Sequence, residues 1–279
     1  MTIRRATTAD APGIARVHVE TWRSTYQGLV PDDYLAGLSI PARQEFWDKL
    51  IRQQPPREHL FVAEDPSGKI VGMISGGRNR SELPYDGEVK AIYVLKENQG
   101  QALGRRLFQA SVNQLADDGF RSFMVWVLEQ NPACGFYTHQ GGRAVGEADE
   151  NIGGKTLKEL AFAWDDLQRL TTAKRIYHIT DQALWRKALG QGIYEHPSLK
   201  QEGFIHASER SQLLGVANRY FQKVKDLLVL ELDASRLQAP LRFENTTGGT
   251  ELFPHIYGPI HPDAVLLVHT LEALCPDRN

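Results

Sequence analysis

The chain has 279 residues, more than one hydrophobic core usually serves, so two domains are predicted. With 42% hydrophobic and 24% charged residues, the composition is typical of a folded globular protein and excludes a disordered, collagenous or coiled-coil chain. The formal net charge of -2 gives no long-range attraction to nucleic acid or to an anionic membrane surface, so neither is expected as a partner.

The cysteines and the first residues indicate the compartment. Cys134 and Cys275 fall in different predicted domains and form no disulfide framework. The first residues, MTIRRATTADAPG, lack the apolar stretch of a signal sequence, and no run of about 18 apolar residues follows. We therefore expect a cytoplasmic protein that is neither exported nor inserted into a membrane.

The first part of the chain is predicted to mix helices and strands. A helix follows the segment TTAD, whose Thr7, Thr8 or Asp10 can cap it, because apolar residues then recur at helical spacing toward Trp22. The segment GLVPDDYLAGLS supplies a loop and a short second helix. HLFVAED and IVGMISGG, separated by the turn PSGK, are predicted to form a β-hairpin.

The next segments predict a strand, a loop of small residues, a helix and a second strand. GEVKAIYV is rich in residues that favour strands, and RRLFQASVNQLADDG is apolar at a helical period until Gly119 ends it. The strand SFMVWVL follows, and because a helix connects the two strands, we expect them to be parallel neighbours. NPACGFYTHQGG begins another short helix, and LKELAFAW forms a closing strand.

The polar segment at residues 168–174 is predicted to link a domain of residues 1–167 to a domain of residues 175–279. In the second domain the strand RIYHI precedes the helix DQALWRKAL, which Asp181 can cap. The strand GFIHAS, the helix SQLLGVANRYFQ and the strands DLLVLELD and AVLLVHTL follow. The sequence thus predicts an α/β (α+β) fold, a mixed sheet with flanking helices followed by a second, smaller α+β domain.

A loop of small residues precedes the helix that begins near residue 103. Gly100, Ala102 and Gly104 occupy every second position of QGQALG. The first N–H groups of a helix are unpaired, and the helix dipole places about half a positive charge at that end. The loop therefore suits a phosphate group, although such turns also serve as plain tight connections. It is not a P-loop, because no Gly-Lys-Ser/Thr ends it. It is not a dinucleotide-binding fingerprint either, because it lacks the three glycines of that motif.

Two segments together resemble the GNAT acetyltransferase superfamily. AIYVLKENQGQALGRRLF resembles the family's motif A, with Ala102 where glycine is usual, and NPACGFYTHQGG resembles the next motif. The resemblance covers residues 3–165 and implies the GNAT fold, acetyl-CoA as co-substrate, and a primary amine of a small molecule or peptide as acceptor. It implies cofactor binding by Ile92, Tyr93, Val94, Gln99, Gly100, Gln101, Ala102, Leu103, Gly104, Arg105 and Asn131.

Acetyl transfer needs a neutral amine, a polarised thioester carbonyl and a proton for the departing thiolate. The resemblance implies that Tyr137 is the general acid; alternatively, Tyr137 packs in an aromatic cluster with Phe136. Glu88, which alternates onto one strand face with Lys90, is the candidate acceptor of the amine proton. A solvated carboxylate or an ion pair between Glu88 and Lys90 is the alternative.

Three further residues have two interpretations each. Asn131 contacts the cofactor, as the resemblance implies, or forms a turn before Pro132. Trp22 and Tyr26, four residues apart on one helix face, form an aromatic wall of the acceptor site or belong to the core.

For the function of the whole first domain, the alternative to catalysis is a sensor that binds the acyl-CoA and controls the second domain. The sequence leaves the oligomeric state open, and a homodimer is one possibility.

The second domain resembles an uncharacterised bacterial domain family through RIYHIT, GFIHAS and TELFPHIYGPI. An ADP-ribosyltransferase-like fold has been proposed for that family, which implies that His178, His206 and Glu251 bind nicotinamide adenine dinucleotide (NAD) in one pocket. His255 and Tyr257 are then expected near its rim.

Other interpretations of these histidines stay open. The strand histidines could be hydrogen-bonded within a core. A metal site of His206, His255 and His261 lacks a recognisable ligand spacing, and we predict no metal site. Without a ligand, the second domain would be an interaction module.

Overall fold

The protein, seen in a computed structural model, forms two compact units. The N-terminal unit spans residues 5–171, and the C-terminal unit combines residues 1–4 with residues 172–279. The sequence prediction assigned residues 1–4 to the first domain, and its linker includes Ala173, which lies outside the described residues. The structure describes residues 1–53, 55–172, 174–222, 224–246 and 248–278. No helix in these ranges combines the length and apolar character that crossing a membrane requires.

The chain begins with strand β1 (Thr2–Arg5), after which the N-terminal unit alternates helices and strands. Its helices are α1 (Ala11–Thr25), α2 (Asp32–Ala36), α3 (Ile40–Gln53), α4 (Leu103–Asp117) and α5 (Ala133–His139). Its strands are β2 (His59–Glu64), β3 (Ile70–Arg78), β4 (Gly87–Val94), β5 (Phe123–Leu128), β6 (Arg143–Ile152) and β7 (Lys155–Trp164). The predicted hairpin, the β4–α4–β5 unit, α5 and β7 are confirmed.

The strands of the N-terminal unit pair in the order β6-β7-β5-β4-β3-β2. The pair β4–β5 is parallel, as predicted, and its neighbours pair antiparallel. The two strands pair only through Gly87 with Phe123 and Glu88 with Met124. Because β4 continues with β3 to Val94 and β5 continues with β7, the two strands separate beyond Glu88. Beyond Glu88, the two strands therefore do not pair with each other.

A β-bulge on β4 overturns the predicted alternation of that strand. Ser75 pairs with Ala91 and Gly76 with Val89, so Lys90 is an extra residue. An inserted residue shifts which face the following side chains occupy. The expectation that Glu88 and Lys90 share one regular face is therefore wrong at the bulge.

The C-terminal unit contains two small sheets. Its strands after β1 are β8 (Arg175–Asp181), β9 (Ile205–His206), β10 (Leu227–Asp233), β11 (Leu241–Glu244), β12 (Phe253–Ile256) and β13 (Val265–Thr270). Its helices are α6 (Gln182–Gln191), α7 (Pro197–Gln201), α8 (Leu213–Tyr220) and α9 (Leu271–Leu274). One sheet has the order β1-β13-β10-β8 and the other β11-β12-β9.

The C-terminal unit has its own hydrophobic core on both faces of the first sheet. One cluster includes Ile176, Tyr194 and Leu230, and the other includes Tyr177 and Val229. Successive residues of a strand point to opposite faces, which places Ile176 and Tyr177 in different clusters. The predicted cap of α6 is confirmed, because the Asp181 carboxylate accepts the N–H of Leu184 at 2.8 Å.

Candidate active site

The loop between β4 and α4 turns tightly through two residues with positive φ angles. Gly100 has a φ of 75°, and Ala102, the residue before α4, has a φ of 57° in the left-handed region. That region favours glycine, which explains why a glycine is usual at the position of Ala102. The Gln99 side chain donates to the carbonyl of Val94 at 3.0 Å and so ties the loop to the end of β4.

Gly104 leaves space at the first turn of α4. A Cβ atom built on Gly104 would meet no atom within 4 Å. The unpaired N–H groups of the α4 N-terminus lie in the same turn, and α4 has 15 residues, enough for a full helix dipole. The residues present therefore fit a phosphate group of a cofactor at this position.

Tyr137 lies on α5 and is buried, with only 3% of its surface exposed. Its ring packs against Phe136 at 5.3 Å between centroids, which is the alternative that the sequence left open. Its hydroxyl has no hydrogen-bond partner among the described residues. The pKa of the Tyr137 hydroxyl is raised well above its usual range, mainly by burial and less by the neighbouring Tyr26 and Tyr93. The group therefore keeps its proton.

Three tyrosine hydroxyls lie within electrostatic reach of one another, because Tyr26 and Tyr93 both raise the pKa of Tyr137. Trp22 donates from Nε1 to the Tyr93 hydroxyl at 2.9 Å. Asn131 donates from Nδ2 to the Tyr26 hydroxyl at 3.1 Å. Trp22 and Tyr26 therefore connect to polar groups at β4 and α5, while their rings also pack on the core.

Asn131 is buried, and both ends of its amide have partners. Besides donating to Tyr26, it accepts the N–H of Ala133 at 2.9 Å, which is a turn that starts α5. The turn alternative is thus present in the structure, and Asn131 also holds the Tyr26 hydroxyl.

The Glu88 carboxylate is buried and occupied by Arg80. The Arg80 guanidinium contacts both oxygens, at 2.7 Å and 3.0 Å, and the backbone N–H of Arg80 donates at 3.1 Å. Lys90 pairs with Glu58, so the predicted alternative of an ion pair between Glu88 and Lys90 is wrong.

The sequence reasoning missed Glu159, a half-buried carboxylate on β7. It pairs in register with Leu128 of β5, and the charge of Glu159 raises the pKa of Tyr26. Burial, followed by the charge of Glu150, raises the pKa of Glu159. Its position within the ordinary alternation of LKELAFAW carried no signal that could have singled it out.

A cavity of about 690 Å³ lies in the N-terminal unit beside the diverging part of β4. Ala91 and Tyr93 of β4 line it, as do side chains of α1 and α3. Cations exceed acids in its lining, which includes Arg5, Arg43, Arg57, Arg80, Lys90, Glu58 and Asp118. A site of this charge attracts an anionic group.

A second cavity, of about 600 Å³, lies in the C-terminal unit. Its lining includes four histidines, His178, His196, His206 and His255. His178 donates from Nδ1 to the carbonyl of His206 at 2.6 Å, and its Nε2 lies 2.7 Å from the Tyr194 hydroxyl. Burial lowers the pKa of His178 to about 3, so its ring is neutral and has both nitrogens bonded.

His255 forms a carboxylate–imidazole pair with Glu244. Its Nδ1 lies 3.2 Å from the Glu244 carboxylate, to which Tyr257 also donates, and its ring stacks on Phe204 with centroids 4.1 Å apart. Burial lowers the pKa of His255 despite the neighbouring Glu244. A neutral ring that donates from Nδ1 has an unprotonated Nε2, which can accept a proton.

The structure does not bring Glu251 or Tyr257 into the lining of this cavity. The exposed Glu251 accepts from Gln212 at 3.1 Å, and Tyr257 binds Glu244. Antiparallel pairing of β11 with β12 places Glu244 beside His255, which the sequence order did not reveal. His261 pairs with Asp263, and no three metal-ligating side chains among the described residues converge.

The sequence is similar to known proteins in both parts of the chain. Residues 21–141 match the Acetyltransferase (GNAT) family, and residues 179–268 match the family described as Protein of unknown function (DUF952). The uncharacterized N-acetyltransferase YuaI of Bacillus subtilis is 42% identical over 173 residues, which cover 62% of this chain and 97% of that protein. The chain belongs to the GNAT family and is an acetyltransferase.

Two further proteins are similar to parts of the chain. The L-methionine sulfoximine/L-methionine sulfone acetyltransferase of Pseudomonas aeruginosa is 29% identical over 141 residues, covering 50% of this chain and 76% of that protein. The crystal structure of Protein CC0527 from Caulobacter crescentus is 32% identical, with a TM-score of 0.33, and covers 35% of this chain and 85% of that one.

Proposed function

We propose that the protein transfers the acetyl group of acetyl-CoA to the primary amine of a small molecule. Acetyl-CoA supplies the acetyl group as a thioester. The residues from Gln99 to Arg105 bind its pyrophosphate at the N-terminus of α4. The opening between β4 and β5 admits its extended arm, where backbone groups of Ile92, Tyr93 and Val94 can bind it. The single observation that supports this most is the space at Gly104 beside unpaired helix N–H groups.

The proton chemistry is assigned to two groups in this proposal. Tyr137 gives its proton to the departing sulfur, because burial keeps its hydroxyl protonated. Glu159 accepts a proton from the acceptor amine, because its raised pKa makes it a better base than an ordinary carboxylate. Glu88 as the proton acceptor stays a prediction. We assign the role to Glu159 instead, because the Glu88 carboxylate already accepts three hydrogen bonds from Arg80.

The acceptor is proposed to be a small amine rather than a peptide. The relative that acts on L-methionine sulfoximine and L-methionine sulfone supports this choice, as does the cavity of about 690 Å³ beside β4. A cytoplasmic location and a homodimer stay predictions.

Calorimetry with acetyl-CoA tests the cofactor site. Gly104→Val fills the empty space at the first turn of α4, and we expect at least tenfold weaker binding. Gly190→Val in α6 is the matched control, because a Cβ there also meets no atom within 4 Å and the helix lies in the other unit. Equal affinity for both variants, each folded by circular dichroism, would show that the loop does not bind the cofactor.

For the C-terminal unit, we propose a binding site for a small polar ligand in the cavity lined by His255. The observation that favours it is the Glu244–His255 pair, which leaves Nε2 unprotonated beside the cavity. An ADP-ribosyltransferase-like fold and NAD as the ligand stay predictions. Addition of NAD to the protein should shift the ring signals of His255 in an NMR spectrum, and Glu244→Gln should weaken that effect. Unshifted signals at millimolar NAD would exclude this ligand.

A further inference from the structure

The cavity beside β4 has buried polar atoms without partners. Three of them are the two ring nitrogens of His18 and the indole nitrogen of Trp47, which have no hydrogen-bond partner among the described residues. Both side chains line the cavity and are more than nine-tenths buried. Burying such atoms without a partner is costly, so a native protein keeps them for a reason such as a ligand.

His18 needs one partner of each kind. Burial, followed by the charge of Arg43, lowers the pKa of His18 to about 4, so the ring is neutral near pH 7. A neutral imidazole has one nitrogen that donates and one that accepts. The rings of Tyr93 and Trp47 surround it, with centroids 4.9 Å and 5.9 Å away. A ligand that satisfies His18 must therefore present both a hydrogen-bond acceptor and a donor.

Arg43 supplies a half-buried positive charge at the same place. Its guanidinium has no ion-pair or hydrogen-bond partner among the described residues, and its charge adds to the effect of burial in lowering the pKa of His18. Among the other cations of the lining, Arg80 pairs with Glu88 and Lys90 with Glu58, and Arg57 lies over the ring of Phe120. Arg43 is thus free to bind an anion, and its planar guanidinium matches a carboxylate.

The cavity reaches the place where acetyl transfer is proposed. Ala91 and Tyr93 lie on β4 beyond its last pairing with β5, at the opening between the strands. The hydroxyl of Tyr93 acts electrostatically on Tyr137, the proposed general acid. The ring of Tyr93 also packs on His18, with centroids 4.9 Å apart, so Tyr93 connects the cavity lining to Tyr137.

We propose that this cavity is the acceptor site and that it selects an amine that also carries a carboxylate, such as an amino acid. Arg43 binds the carboxylate, the donor nitrogen of His18 supports it, and the other nitrogen of His18 accepts a hydrogen bond from the amino group. Phe46 and Trp47 form an apolar wall for the rest of the acceptor. This assignment rests on the proposed acetyl transfer.

Matched acceptors test the selection. A panel of amino acids, their primary carboxamides and the corresponding decarboxylated amines is assayed with acetyl-CoA. We expect kcat/KM for the best amino acid to exceed that for its carboxamide by about 10- to 100-fold, the range of a charge-assisted hydrogen bond. Arg43→Gln should bring the ratio close to one, Arg43→Lys should keep part of it, and Arg52→Gln on the same helix should leave it unchanged.

Binding measured by NMR separates this proposal from acetyl transfer itself. In the wild type, saturating amino acid without acetyl-CoA should shift the NMR signals of the His18 ring, because both of its unpartnered nitrogens gain hydrogen-bond partners. The carboxamide should not, and His18→Gln assigns the signal. If no amine is acetylated but His18 responds in this way, acetyl transfer fails and the binding site stands. Equal kcat/KM for acid and carboxamide, or no response of His18 to any amino acid, overturns the proposal.

Discussion

The indole nitrogen of Trp22 donates a 2.9 Å hydrogen bond to the hydroxyl of Tyr93, and this bond joins helix α1 to the diverging part of β4. Tyr93→Phe removes the acceptor and leaves the Trp22 N–H unpaired among aromatic rings. We expect the free energy of unfolding to fall by about 1 to 2 kcal/mol in urea titrations. Tyr34→Phe is the control, since the Tyr34 hydroxyl makes no hydrogen bond to the described residues. Equal losses in both variants would show that the bond contributes nothing.

Tyr137→Phe should lower kcat by about 10²- to 10⁴-fold, the range for loss of a general acid. Acetyl-CoA affinity and the melting temperature should change little, because the hydroxyl has no hydrogen-bond partner to lose. Steady-state kinetics and calorimetry give the two values, and Tyr85→Phe is a control away from the proposed site. A kcat within twofold of the wild type would make Tyr137 a core aromatic residue.

Glu159 should control the acid side of the pH profile of kcat/KM. Activity should fall as the pH decreases through the raised pKa of this carboxyl group, because its protonated form cannot accept a proton. Glu150→Gln removes a negative charge that raises this pKa, so the acid limb should move to lower pH. Glu159→Gln should abolish the limb and reduce the rate. An acid limb that does not move in Glu150→Gln would assign it to another group.

His59 should make the N-terminal unit less stable in acid. Burial, followed by the charges of Arg5 and Lys90, lowers the pKa of His59 to about 3, against about 6.5 in an unfolded chain. The unfolded chain therefore binds the proton first, and stability falls as the pH decreases from about 6.5 toward 3, by up to about 1.4 kcal/mol per pH unit.

The comparison variant is His59→Asn, which removes this titration and can keep a hydrogen bond to Ser111, now 2.6 Å from Nε2. Urea unfolding followed by tryptophan fluorescence reports mainly on the N-terminal unit, which contains Trp22, Trp47, Trp126 and Trp164. The slope of stability against pH should be smaller in the variant. Identical slopes would mean that His59 is not buried in neutral form.

The sequence predicted those elements whose residues repeat with a clear period. The β4–α4–β5 unit is an example, since β-branched strands flank an amphipathic helix that Gly119 ends. Helix α3 was missed because it buries little beyond Trp47 and Ile51, so its apolar pattern is sparse. Strand β6 was missed because most of its side chains are exposed.

The candidate sites depend on contacts that residue order does not reveal. The bulge at Lys90 and the occupation of Glu88 by Arg80 arise from strand register and a turn geometry. Glu244 approaches His255 only because β11 pairs with β12, whereas Glu251 was chosen from its place in the motif. Burial and register decide these contacts, and neither follows from the spacing of residues along the chain.

The most direct measurement is the stoichiometry of acetyl transfer by the wild-type protein. Acetyl-CoA is supplied with a panel of small primary amines, free thiol is measured with a thiol reagent, and the acetylated amine is measured by mass spectrometry. The account predicts amine-dependent release of one coenzyme A for each N-acetylated product formed. Thiol release that does not depend on the amine, or tight binding of acetyl-CoA with no product from any amine, would contradict it and favour a sensor of acyl-CoA.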